Sequence, residues 1–227
     1  MRADTQAPAR GGTERVREDY VDALVGAELS AARSVLDDAI AAGTPVRRIY
    51  LEVLQPSLYE IGRRWSHAEI SVAQEHLATA ATQSAMARLA ERLTDGPRRV
   101  RPGSAVVACV SDELHALGGR MVADFLEADG WKVAFLGQLT PGLDLAELAA
   151  RQGAQVVALS AALPERVPRV AEVCAALRAL EPAPFLLVGG QAFGGSADLA
   201  MRAGADAYAQ DAEAAAAAVR ERFPAPA

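Results

Sequence analysis

Nine residues, Asp95 to Gly103, divide the chain into two halves with different hydrophobic rhythms. The segment holds two prolines, two glycines and three arginines and carries no apolar pattern, so it is a linker rather than part of an element. Before it, apolar residues recur only at helical spacing. After it, short apolar runs alternate with amphipathic stretches. A chain with that division is bound to fold as two units of different class.

In the first half, residues 1–13 are rich in Ala, Pro, Gly and Arg and are expected to form a mobile tail. Residues 14–94 are expected to form a helical bundle. Thr13 is placed to cap a first helix through Tyr20, Leu24 and Val25, which Gly26 stops. A second helix is predicted from about Ala27 to Ala42, ending at Gly43. Thr44-Pro45 then gives an N-cap followed by proline at the first position of a third helix, which runs to about Trp65 with a kink at Pro56. Ser71-Val72-Ala73-Gln74 is a capping-box pattern that opens a fourth helix lasting to about Leu93. Four helices on short connections predict an antiparallel bundle.

In the second half, residues 104–227, strands are predicted at 105–110, 132–136, 155–159, 185–188 and, weakly, 207–209. Helices are predicted near 117–129, 143–152, 165–180, 196–203 and 211–222. The alternation implies a doubly wound parallel sheet of Rossmann or flavodoxin type. Ligands in such sheets bind outside the carboxyl ends of the strands. The loops there are Ser111 to His115, Ser160 to Ala162, and Gly189-Gly190-Gln191.

The chain as a whole is 51% hydrophobic, enough for a real core, yet holds no apolar run long enough to span a bilayer. Its first residues lack the apolar stretch of a secretory signal, and Cys109 and Cys174 are too few for a disulfide scaffold or a zinc site. A net charge of −6 argues against autonomous nucleic-acid binding. A cytoplasmic protein is expected.

Glu113-Leu114-His115-Ala116-Leu117-Gly118 carries a histidine at a strand-to-helix turn, where one ring nitrogen can bind a metal. The carboxylate two residues earlier can take the proton of the other nitrogen, and Gly118 lets a bulky group lie against the helix start. Taken alone, His115 also suits an ordinary surface histidine, Ser160 a helix cap, and Gly189-Gly190 a tight turn. The spacing leaves 41 residues between Gly118 and Ser160 and 26 between Ala162 and Gly189. On these residues the chain resembles the cobalamin-binding domains with the pattern D-x-H-x-x-G, S-x-L, G-G. The resemblance implies His115 as lower axial ligand of cobalt, Glu113 as its orienting partner, Ser160 and Ala162 beside the displaced nucleotide tail, and Gly189, Gly190 and Gln191 around it. Two residues depart from the pattern: the aspartate is Glu113, and the leucine of S-x-L is Ala162.

The glutamate form is similar to the light-sensing cobalamin regulators of the CarH/LitR type. Their bundle pattern W-x9-E-H is present as Trp65, Glu75 and His76. Trp65 could instead be a core aromatic, and Glu75-His76 a solvated polar step. The resemblance implies that the indole covers a deoxyadenosyl group, with Glu75 and His76 hydrogen-bonding near its ribose. Phe135-Leu136-Gly137 followed by Thr140-Pro141 also resembles the second strand and its loop in that group. The implied cofactor is adenosylcobalamin. The implied activity is light sensing, not turnover: photolysis of the cobalt–carbon bond changes domain packing or assembly. In the regulators a histidine directly after the tryptophan takes the vacated upper position. Here that residue is Ser66, and His67 stands one residue later, a rotation of about 100° on a helix.

The residues before Thr13 are too few for the DNA-binding domain of those regulators, so direct operator binding is not expected, and a protein partner downstream is. A homo-oligomer is left open. The related photocobilins add a bilin chromophore, although neither cysteine lies in an evident attachment motif. The rival reading is a corrinoid methyl-carrier protein of a methyltransferase system. A third is a flavodoxin-like module for another ligand, with the histidines incidental.

Overall fold

A computed structural model describes residues 11–94 and 103–224. The chain divides after Leu93 into two compact units. The expected tail therefore lies outside the described residues up to position 10, and the linker does so except for Gly103.

The first unit is helical. α1 (Gly11–Val25) begins before Thr13, so that residue is no cap. Its side chain is buried, and its hydroxyl donates to Glu52 Oε2 at 2.6 Å. α2 (Leu29–Ala41) is shorter than predicted by two residues at its start and one at its end. The third helix departs from a simple rod. α3 (Val46–Arg48) has Pro45 as its N-cap residue and continues through a π-helical turn, Ile49–Leu54, into α4 (Gln55–Ser66). Pro56 explains the wide turn. A proline inside an α-helix has no N–H to donate and crowds the carbonyl four residues back. With the Gln55 N–H bonded to the Tyr50 carbonyl instead, the chain passes Pro56 without breaking. α5 (Val72–Leu89) opens with the predicted capping box, both hydrogen bonds of Ser71 and Gln74 being made.

α1 packs on α2, α4 and α5. The unit's core is Leu24, Leu36, Ile49, Val53, Leu54, Ile61 and Met86, all buried. Two tyrosines share that core because their hydroxyls are satisfied: Tyr20 pairs with Thr82 at 3.1 Å and Tyr50 donates to the Met86 carbonyl at 2.9 Å.

The second unit is a five-stranded parallel sheet in the order β2-β1-β3-β4-β5. Its strands are β1 (Ser104–Cys109), β2 (Lys132–Gly137), β3 (Val156–Ser160), β4 (Phe185–Gly189) and β5 (Ala207–Ala209). The intervening helices are α6 (Leu117–Ala128), α7 (Gly142–Gln152), α8 (Val167–Arg178), α9 (Ala197–Arg202) and α10 (Ala212–Arg222). All five strands and five helices stand where the sequence places them. Val106, Ala108 and Val110 join Val157, Leu159 and Val188 in the core under α7 and α8, while α6 lies on the face that carries Cys109 and Phe135. Sandwiched strands of this kind are apolar on both faces, hence the continuous Val-Ala-Leu runs. No helix among the described residues is long and apolar enough to cross a membrane.

Candidate functional site

The strand order reverses between β1 and β3: one connection from β1 leads outward to β2, and the chain then returns to the other side. Loops that leave such a pair diverge and open a crevice at the carboxyl edge. Cys109, Ser160 and Gly189 are in register at that edge as neighbouring strand ends. The predicted loops of the second unit therefore meet at one place.

Glu113 is the centre of it. Its side chain is fully buried, and its carboxylate accepts three hydrogen bonds. Oε1 takes the backbone N–H of His115 at 2.9 Å and His115 Nδ1 at 2.6 Å, and Oε2 takes the Ala162 N–H at 2.7 Å. Burial works to raise the pKa of this carboxyl, but the bonds from His115 and Ala162 outweigh it and hold the group at about 2, below its ordinary 4.5. A buried carboxylate that stays charged fixes the proton of His115 on Nδ1. Nε2 is then the nitrogen with a lone pair to offer, on a side chain that is 57% exposed.

Gly118 opens α6 beside Ser160: a Cβ there would meet only Ser160 Oγ, at 3.8 Å. The two glycines after β4 are constrained differently. A Cβ on Gly189 would stand 2.6 Å from the Ala209 carbonyl oxygen, and one on Gly190, at φ +103°, 2.1 Å from that of Ala161. The packing of neighbouring backbone thus already requires glycine at both. Gln191 is exposed and starts a short 3-10 turn.

Sequence reasoning missed the apolar rim. Leu114, Leu139 and Leu143 are large and exposed, at 58, 50 and 80%. Leu114 precedes His115, and the other two belong to the loop after β2 and the start of α7. Their hydrophobicity lacked any periodicity that would have separated them from core residues. An imidazole backed by a buried carboxylate, beside exposed aliphatic side chains, is a donor set suited to a metal carried in a broad apolar macrocycle.

The helical-unit residues lie on either side of the α4–α5 connection, Trp65 and His67 at the end of α4 and Glu75 and His76 near the start of α5. Trp65 is 48% exposed, which sets aside a core role. Glu75 lies in the first turn of α5 and accepts from Thr79 Oγ1 at 2.9 Å. His76 is exposed, with Nε2 3.6 Å from Glu75 Oε2. α4 ends at Ser66, whose hydroxyl donates to the Arg63 carbonyl at 2.8 Å. His67 follows as the C-cap, its Nδ1 2.8 Å from that same carbonyl, so Nδ1 carries the proton there. A groove of about 590 Å³ in this unit, lined by Arg17, Asp22, Tyr59 and Arg64 among others, includes none of the predicted residues.

Comparison with known proteins gives two matches to models described as B12 binding domain, over residues 103–220 and 16–90. The HTH-type transcriptional repressor CarH of Myxococcus xanthus is 37% identical over 138 residues, 60% of this chain and 44% of the repressor. The repressor CarA of the same organism is 34% identical over 180 residues, 78% of this chain and 58% of its own length. The chain thus spans about half the length of these relatives. The solved structure of the Methanosarcina barkeri monomethylamine corrinoid protein has the same fold, with a TM-score of 0.80 at 24% identity over 93% of this chain and 100% of that one.

Proposed function

Because the chain belongs to the B12-binding-domain family, we propose that its corrinoid is adenosylcobalamin, held by His115 from below, and that the protein is a light sensor rather than an enzyme. The observation that carries the site is the buried, charged Glu113 on His115 Nδ1 at 2.6 Å. The observation that carries the signal is the likeness in sequence to the repressors, together with an exposed Trp65 at the end of α4 and Glu75 and His76 near the start of α5.

Bound adenosylcobalamin supplies a cobalt–carbon bond that visible light breaks. The residues do the rest. Glu113 keeps His115 in the tautomer that offers Nε2 and strengthens it as a donor. Leu114 and Leu139, both exposed, would cover an apolar ring edge and exclude water. Ser160 and Ala162 would lie beside the displaced nucleotide tail, with Gly189, Gly190 and Gln191 around it. Trp65 would offer a flat apolar face to the adenosyl group, and Glu75 would accept from its ribose hydroxyls. Loss of that group would remove whatever contacts it makes in the dark, and so would bias packing or self-assembly and signal to a protein partner. His67, with its proton on Nδ1, would have Nε2 to offer to cobalt after illumination. A bilin, where one is carried, would find no exposed thiol to join, since Cys109 and Cys174 are buried.

The test is the absorption spectrum and elution volume of the protein loaded with adenosylcobalamin, before and after green light. The expected result is an irreversible spectral change with a change in elution volume. Indifference to light refutes the sensor.

The fold likeness along the whole of the monomethylamine corrinoid protein favours one second reading, a methyl carrier of a methyltransferase system. That reading requires loss of methyl from the methylcobalamin-loaded protein only when a methyltransferase and an acceptor are added.

A further inference from the structure

Three consecutive backbone carbonyls lead to the imidazole of His115, and each has its own donor. The Glu113 carbonyl accepts from the Leu139 N–H at 3.2 Å. The Leu114 carbonyl accepts from Gln138 Nε2 at 2.7 Å. The His115 carbonyl accepts from Cys109 Sγ at 3.7 Å, a thiol that burial, with the charge of Glu113, pushes up to about 12 and so keeps protonated. A fourth bond runs the other way, from Ser111 Oγ to the Thr140 carbonyl at 3.3 Å.

Three of these four bonds involve Gln138, Leu139 and Thr140, the loop after β2. That loop and the histidine loop share a backbone feature: Leu139 at φ +56° and Asp112 at φ +64° are non-glycine residues in the left-handed region. L side chains adopt it rarely, and here each lies in one of the two strapped loops. Gly137, at φ +72°, turns the chain at the end of β2 ahead of Gln138.

We infer that Gln138 is a positioning residue for His115, acting through the Leu114 carbonyl, and that the loop after β2 sets the histidine loop before any ligand arrives. The inference rests on His115 as the cobalt ligand. A ligating side chain on a free loop loses backbone freedom when it coordinates, whereas on a pinned loop that freedom is already lost on folding. Gln138 is itself exposed, so its hydrogen bond adds little to fold stability. Its effect falls on the cofactor.

Two variants of the full chain test this. Gln138→Glu keeps the shape and replaces the donor by an acceptor, and Gln138→Met removes the donor without adding charge. The first readout is amide hydrogen exchange in cobalamin-free protein at Leu139 and His115, whose N–H groups bond to the Glu113 carbonyl and carboxylate. Exchange at both is expected to speed up about fivefold or more in each variant, with Tm unchanged. The second readout is release of bound cobalamin, expected to be about fivefold faster while the imidazole-ligated spectrum at saturation is kept. Unchanged exchange and release in both variants, with normal cobalt ligation in the wild type, overturn the role of Gln138 alone. A wild type without imidazole-ligated cobalt overturns the parent reading, and the assignment of Gln138 to that ligand falls with it.

Discussion

Replacing Glu113 by Gln changes one oxygen for an amide nitrogen and removes one charge. The carboxylate accepts from three N–H groups, and an amide cannot offer acceptors on both sides. One buried donor is left facing another. The depression of the Glu113 pKa from 4.5 to about 2, driven by those bonds against the opposing effect of burial, gives the size of the effect. At about 1.4 kcal/mol per pKa unit it corresponds to about 3 kcal/mol of stability at neutral pH. The sign follows from the direction: a carboxyl whose folded pKa lies below its unfolded one stabilises fully above 4.5, and that stability fades as pH falls toward about 2. By pH 3, about 2 kcal/mol of it is gone. Trp131, buried in the α/β unit, reports that unit's unfolding once Trp65 is replaced by Phe. Urea titrations from pH 7 to pH 3, followed by Trp131 fluorescence, are expected to show Glu113→Gln about 3 kcal/mol weaker at pH 7 and about 1 kcal/mol weaker at pH 3. A constant difference across the range, or none at pH 7, refutes the claim that Glu113 is a charged, hydrogen-bonded hub.

Two glycines that look alike in sequence are expected to part company. Gly190→Ala forces a Cβ onto the Ala161 carbonyl at positive φ and should prevent folding of the α/β unit or lower its Tm sharply, by circular dichroism. Gly118→Ala meets only Ser160 Oγ at 3.8 Å, so Tm should hold or rise, while a titration shows weaker cobalamin uptake. Trp65→Ala, at a half-exposed site, should cost under about 1 kcal/mol in stability. It should weaken adenosylcobalamin binding more than methylcobalamin binding; equal losses would remove the indole from the upper ligand.

The α/β architecture was legible because buried parallel strands are continuous apolar runs, and Val156 to Leu159 or Leu186 to Val188 can be little else. The capping box at Ser71 was legible because both partners lie within one turn. What the sequence hid were contacts between distant loops. Glu113 meets the Ala162 amide across 49 residues, through a backbone group that every residue type has. Gln138 is likewise tied to a carbonyl, so neither partner has a side-chain signature. The π-helical turn at Ile49–Leu54 was readable only as a disturbance at Pro56, since its hydrogen-bond shift is a compromise of the whole helix. Thr13 was misplaced as a cap because its partner, Glu52, is on another helix.

The central claim is that His115 Nε2 is the lower ligand of cobalt. Loading the protein with cobalamin, reducing the metal to the paramagnetic divalent state and recording its electron paramagnetic resonance tests it directly, because a coordinated nitrogen splits the cobalt lines. Protein grown with nitrogen-15 histidine should turn that splitting from a triplet into a doublet, and His115→Ala should abolish the change. A triplet that persists in labelled protein would assign the nitrogen to the cofactor's own base, and the account of Glu113 and His115 would fall.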